Sequence, residues 1–224
     1  MNRRSRAIAL AVLCLALTGP ASAGPTLSLP QLFKPEAKAP PPRLVFVYRG
    51  WRVDASRAAR LQSPAKTTRA IQAQIDLVER LNLKPDTIAF MRAQPVLADG
   101  ARAAAGDYAE YVPGRGVLLH ARMLDGKKPI LLGGLLKAYL AQRVPGGAAN
   151  PELTALRAQA AARRVWPKTA LMLQDNEAFF SLSGSAYLYG AITREPYSRA
   201  DLKKTEPGCY QWLAGLFDGG RPRV

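Results

Sequence analysis

KKPILLGGLLKAYL, residues 127–140, is an apolar run that predicts a buried helix over 131–143. Two adjacent glycines, Gly133 and Gly134, interrupt this run. Each glycine costs about 1 kcal/mol relative to alanine inside a helix. Either one of the two glycines starts the helix, or the helix backbone has to approach another element closely at this point.

Shorter patterns on both sides of this helix predict the other elements. Before it we expect a helix capped by Thr67 or Thr68 and a short helix over 85–91. Strands are predicted over 44–48, 95–97, 107–112 and 117–122, the last two as a hairpin. After it, helices are predicted over 152–164, 175–190 and 207–217.

The spacing of apolar side chains directs one set of them into a common core. These side chains are Ile71, Ile75, Val78, Leu132, Leu136, Tyr139, Phe179, Leu182 and Trp212. A small antiparallel sheet followed by a predominantly helical C-terminal half is an α+β fold.

The first 42 residues do not read as part of this domain. Residues 1–23 combine arginines, an apolar run and an Ala-Ser-Ala boundary, which predicts a signal peptide cleaved near Ala23-Gly24 and a periplasmic or secreted protein. Residues 24–42 are rich in proline, as a linker or an extended arm would be. We expect a single domain over 43–220 and no transmembrane segment in the mature chain.

Charge and cysteine content restrict the chemistry. The 32 basic and 16 acidic residues give a net charge of +16, which favours anionic partners. His120 is the only histidine, and Cys209 is the only cysteine beyond the signal peptide, so a zinc ribbon or finger is excluded. We expect His120 to be a structural strand residue. We expect Cys209 to be a buried, inert thiol, with pairing between chains as the alternative.

Two segments resemble a known family. KPILLGGLLKAYLAQ is similar to the active-site helix of bacterial gluzincin-type metallopeptidases, the family of the anthrax lethal factor catalytic domain, and DNEAFFSLSGSAYLYG is similar to its glutamate-bearing helix. The resemblance covers most of residues 70–217. It implies a zincin-like fold for this chain.

The resemblance also implies that the active site is degenerate. The family's HExxH motif puts two zinc-binding histidines on one helix face and a general-base glutamate between them. Here Gly133, Gly134 and Lys137 stand at these three positions, and Ala178 stands at the position of the metal-ligand glutamate. Glu177 lies one residue early, rotated by about 100° around its helix. We therefore expect no catalytic residue, no metal and no cofactor.

The altered site still has residues suited to binding. Across from Gly133 and Lys137, small residues recur on the later helix at Ala178, Ser181 and Ser185. Lys137 is a candidate ligand-binding residue, with Asp175 or Glu177 as its counter-charge. In the alternative, Lys137 extends into solvent.

Other enzyme motifs give little support for catalysis. The chain has no Gly-x-Ser-x-Gly elbow, Walker loop or Gly-x-Gly-x-x-Gly. Ser63 and Lys66 match Ser-x-x-Lys without its companion motifs, and Cys209 with His120 is a weak candidate for a nucleophile and base.

These observations predict an exported, catalytically inactive metallopeptidase homologue that acts as a binding or accessory protein. Its partner would be a peptide or protein held in the degenerate cleft by strand addition to the hairpin edge. One alternative is a basic protein that binds an anionic envelope polymer or a membrane surface; another is a peptidase with a relocated site. Nucleic acid is not expected as a partner. Two basic clusters favour binding to an anionic polymer or membrane surface. The first is Arg157, Arg163, Arg164 and Lys168, and the second is Lys203, Lys204, Arg221 and Arg223.

Overall fold

A computed structural model describes residues 43–58, 63–100, 109–120, 124 and 126–219. These residues belong to one compact unit. The predicted signal peptide (1–23), the linker (24–42) and the basic residues Arg221 and Arg223 lie outside the described residues. So do residues 107–108 and 121–122, at the outer ends of the predicted hairpin.

The chain forms a sheet and two helices first and a helical half afterwards. Strands β1 (Val45–Tyr48) and β2 (Trp51–Asp54) are followed by helices α1 (Pro64–Glu79) and α2 (Pro85–Ala93). The three remaining strands are β3 (Val96–Asp99), β4 (Ala109–Val112) and β5 (Gly116–His120). The remaining helices are α3 (Ile130–Arg143), α4 (Pro151–Arg163), α5 (Asn176–Tyr189), α6 (Arg199–Thr205) and α7 (Pro207–Asp218). This architecture confirms the α+β class.

The sheet is mixed, so the prediction of an antiparallel sheet is wrong. Its order is β1-β2-β3-β5-β4. The pairs β1 with β2 and β4 with β5 are antiparallel, whereas β3 pairs in parallel with both β2 and β5. The chain leaves β2, forms α1 and α2, and returns to the same end of the sheet, which makes β3 parallel to β2.

Most predicted helices are present, with shifted ends. Helix α1 begins at Pro64 rather than after Thr67, because the Ser63 side chain caps it by accepting a hydrogen bond from the backbone N–H of Lys66. Thr67 is buried inside the helix. Strand β2 and helix α6 were not predicted, since four and seven residues are too short to show a clear period.

The two glycines of α3 lie inside the helix, so neither of them starts it. A Cβ atom at Gly134 would lie 2.5 Å from Val117 Cγ1 and 3.0 Å from Ala109 Cβ. Such distances are far below ordinary van der Waals contact. Helix α3 therefore packs against β4 and β5 at a separation that only glycine allows at this position.

The predicted core is present. Six of the predicted side chains are buried, and the other three, Tyr139, Leu182 and Trp212, are half-buried and packed against them. The Tyr139 and Phe217 ring centroids lie 5.2 Å apart. Cys209 is a buried free thiol in this core, and burial raises its pKa to about 12, which keeps it protonated and unreactive.

Candidate functional site

A cavity of about 270 Å³ opens between helices α3 and α5. Helix α3 contributes Gly133 and Lys137 to its wall, and α5 contributes Ala178, Ser181 and Ser185. These are the small and basic residues that the sequence places on facing helices. The structure therefore brings them together around one space.

Small side chains keep the two helices close without filling the space between them. The Ser181 hydroxyl donates a hydrogen bond of 3.0 Å to the carbonyl oxygen of Gly133. A Cβ atom at Gly133 would lie only 3.3 Å from the same hydroxyl oxygen. Further along, Gly184 of α5 packs against the Leu136 side chain of α3. Leucine or phenylalanine in place of Ser181 or Gly184 would push the two helices apart or occupy the cavity.

Much of the remaining wall is apolar. It includes Ile130 of α3, Leu171 before α5, Leu182 of α5 and Ile192 in the loop that follows α5. That loop is held in place by its own backbone, since the N–H of Ile192 donates to the carbonyl of Tyr197 at 2.7 Å. The cavity thus has a fixed apolar side formed by two helices and a loop.

The charged residues that line the cavity are all basic among those the structure describes. They are Lys127 and Lys128 before α3, the half-buried Lys137, and Arg194 in the loop after α5. The described lining includes no Asp or Glu.

The two acids predicted as counter-charges of Lys137 lie at the N-terminal end of α5. Asp175 is the N-cap of α5, and its Oδ1 accepts a hydrogen bond of 2.7 Å from the Ala178 backbone N–H. Glu177 is exposed in the first turn of α5, where its charge favours the helix dipole. Neither residue is part of the cavity lining. Lys137 lines the cavity, and its pairing with either acid stays a prediction.

Three of the four positions that the resemblance matches to the family's active site face the cavity. They are Gly133, Lys137 and Ala178, whereas Gly134 faces the sheet. The described lining offers hydroxyl, ammonium and guanidinium groups, none of which is a good zinc ligand. Across the described part of the chain, no group of three or more His, Cys, Asp and Glu residues is placed to hold a metal ion. The donor set does not fit the zinc ion of the family that the sequence resembles.

The histidine and cysteine considered for catalysis lie elsewhere. His120 is a buried residue of β5 whose Nε2 atom lies 3.3 Å from Glu110 Oε1 on the neighbouring strand β4. Cys209 lies in the core on α7, and neither residue lines the cavity. Ser63 is the cap of α1, so its hydroxyl has a structural role.

Sequence reasoning missed part of this site. Lys127 and Lys128 are visible as a basic pair before the apolar helix, but their place at a cavity depends on how α3 meets α5. Arg194 and Ile192 carry no sequence signal, because a tertiary turn after α5 brings them to the cavity.

The basic cluster on and after α4 is divided between structural and exposed residues. Arg157 donates to Asn176 Oδ1 at 2.7 Å and to the Leu173 carbonyl at 2.9 Å. Arg163 pairs with the buried Glu206 at 3.2 Å. Arg164 and Lys168 are exposed, with an exposed Val165 between them.

None of the helices in the described segments combines the length and apolar character needed to cross a membrane.

Comparison with family models, curated proteins and solved structures gave no match for this chain.

Proposed function

We propose that this chain is an exported, non-catalytic relative of the zincin peptidases that binds a peptide or protein partner in the α3–α5 cavity. The observation that carries the proposal is the position of the cavity. It lies where the resemblance aligns the family's active site, with Gly133, Lys137 and Ala178 on its wall. The site keeps a space for a ligand although its metal-binding and general-base positions are occupied by unsuitable residues.

The non-catalytic part of the proposal follows from the donor chemistry. A catalytic zinc needs three protein ligands and an open position for water. Glycine and alanine side chains offer no ligand atom, and a lysine ammonium has to lose its proton before it can coordinate. A cationic Lys137 in the wall would also repel a divalent cation.

The sheet offers a way to hold an extended peptide. Strand β4 is the last strand of the described sheet, and Ala109 at its beginning lines the cavity. A peptide paired with the outer edge of β4 would run past the cavity mouth, with alternate side chains directed to one face. One of these side chains would enter the cavity. Backbone pairing would supply affinity, and the cavity would supply selectivity.

The test is to fill the cavity and measure peptide binding. We would screen a fluorescein-labelled library of short synthetic peptides by anisotropy against the purified chain, and then compare variants. Ala178→Leu extends a side chain from the cavity wall, so we expect it to weaken the best binders at least about tenfold. Ala158→Leu on the exposed face of α4 is the matched control and should bind as the parent does. Equal binding by the parent and a folded Ala178→Leu would overturn the proposal.

A second candidate function is binding to an anionic membrane or polymer surface. Val165 is 52% exposed and Tyr197 is 47% exposed. The Tyr197 ring lies 6.2 Å from that of Trp166, and Arg164 and Lys168 are exposed nearby in the chain. Apolar and aromatic side chains with flanking cations suit an interfacial surface. Sedimentation with anionic vesicles that is lost in moderate salt and in Val165→Ser would support this function. Peptide binding that is insensitive to salt and is weakened by Ala178→Leu would instead support peptide binding in the cavity.

A further inference from the structure

Strand β1 forms the end of the described sheet opposite to β4, and none of the described strands pairs with its outer edge. Leu44, directly before β1, directs its backbone groups to the other side. Its N–H donates to the Ser56 hydroxyl at 3.0 Å, and its carbonyl accepts from the Ala55 N–H at 2.7 Å. Because backbone groups alternate in direction along an antiparallel pair, the N–H and C=O groups of Val45 and Val47 point to the open edge.

The same two valines carry the exposed apolar side chains of β1. Val45 is 63% exposed and Val47 is 70% exposed, whereas Phe46 and Tyr48 pack against the core from the other face of the strand. Edge strands usually carry a charge, a proline or a bulge that prevents further pairing. The four residues of β1 include no charge or proline, and their register with β2 has no bulge.

We infer that the outer edge of β1 pairs with β1 of a second copy of this chain. The residues around the strand are symmetric in type. In both directions from Phe46 the chain has a valine, then a residue that packs against the core, then an arginine. A two-fold axis at Phe46 gives an antiparallel pair in which Val45 of each copy lies opposite Val47 of the other. A two-fold dimer requires such a self-complementary surface.

This register uses the open edge and the exposed side chains together. Val45 of one copy and Val47 of the other would exchange both backbone hydrogen bonds, because the groups of both residues point outward. The valines of the two copies would form one apolar cluster on the outer face of the sheet. On the inner face, the two Phe46 rings would form a cross-strand aromatic pair.

The arginines at the two ends of the symmetric segment each have a carboxylate of their own chain nearby. Arg49 leaves the strand with a φ of 48°, and its Nε atom lies 2.8 Å from Asp76 Oδ1. Hydrogen bonds from Ser56 and, to a smaller extent, the charge of Arg43 lower the pKa of Asp54. Pairing of two copies therefore brings together arginines that are already balanced by acids, and it does not oppose isolated like charges.

The area of the contact sets the strength of the dimer. A strand of four residues with two exposed valines offers much less than the roughly 800 Å² per partner of a standard stable interface. We therefore expect reversible association with a dissociation constant between about 10 μM and 1 mM. The chain would be a monomer when dilute and a dimer when concentrated.

The experiment is sedimentation equilibrium of the purified chain over a concentration series that spans this range. V45K/V47K opposes lysine to lysine across the axis and should weaken association at least about tenfold. V45E/V47K removes the same valines but opposes glutamate to lysine, so it should associate at least about tenfold more tightly than V45K/V47K. The matched control A158K/V165K adds two lysines at exposed residues outside the sheet and should associate as the parent does.

Each other outcome counts against the inference. A parent that stays monomeric at its highest soluble concentration overturns it. Equal weakening by A158K/V165K and V45K/V47K means that net charge governs association, which also overturns it. If V45E/V47K associates no better than V45K/V47K, the pairing about Phe46 is wrong. Circular dichroism verifies that each variant is folded. The variants lie outside the cavity lining, so peptide binding in the α3–α5 cavity is tested separately.

Discussion

The packing of α3 on the sheet makes the variant Gly134→Ala a direct test of the structure. The new methyl group would lie 2.5 Å from Val117 Cγ1 and 3.0 Å from Ala109 Cβ, both in buried residues of the sheet. Overpacking of this kind costs about 1–3 kcal/mol. Because replacing a helical glycine with alanine gains about 1 kcal/mol in helix propensity, a clash near the upper limit leaves a net loss of about 2 kcal/mol.

The assay is urea unfolding followed by circular dichroism, with the free energy of unfolding obtained by linear extrapolation. Gly215→Ala is the matched control, since its Cβ would meet nothing within 4 Å in helix α7. It should be more stable than the parent by up to about 1 kcal/mol. Val117→Ala removes the closest atom, so the double variant G134A/V117A should be more stable than the sum of its single variants predicts. An equal gain from Gly134→Ala and Gly215→Ala would refute the close approach of α3 to β5.

Three further predictions concern export, metal and pH. Amino-terminal sequencing of the secreted protein should begin at Gly24, and an intact Met1 on the exported chain would contradict cleavage there. Elemental analysis should find no stoichiometric zinc; one zinc per chain, removed together with peptidase activity by a chelator, would contradict the proposed loss of catalysis. Hydrogen bonds from Arg92 (2.5 Å) and Trp51 (2.7 Å) hold the pKa of Glu79 below its usual value. The ionised Glu79 therefore stabilises the fold fully above its usual pKa near 4.5, and this stabilisation is lost as the pH falls through the lowered pKa. The difference in free energy of unfolding between the parent and Glu79→Gln should accordingly shrink on acidification. A difference that stays constant with pH would contradict this assignment.

The helices were more predictable from sequence than the sheet, for a physical reason. Helix α3 has an apolar run of several turns, and α1 and α7 have proline in their first turn, so their existence follows from local interactions. Strands of four or five residues carry little local information. Whether β3 runs parallel or antiparallel to β2 depends on the path through α1 and α2, which no short pattern records.

The candidate site shows the same division between local and tertiary information. Helical spacing places Gly133 and Lys137 on one face of α3, and the structure finds both at the cavity. Arg194 reaches the cavity through the turn after α5, stabilised by backbone bonds such as that between Ile192 and Tyr197. Residues positioned by loops are determined by contacts distant in sequence, so a single sequence could not reveal them.

Gly134 connects the packing of this protein to its proposed lack of catalysis. The position that the resemblance matches to the general-base glutamate faces the sheet, where even a methyl group would contact Val117 and Ala109 too closely. Glutamate there would have to separate α3 from β5 before its carboxylate could approach the cavity. The proposed loss of the base and the close helix–sheet packing are thus properties of the same residue. A binding role for the cavity is compatible with this packing, because the cavity is lined by the neighbouring face of α3, where Gly133 and Lys137 lie towards α5.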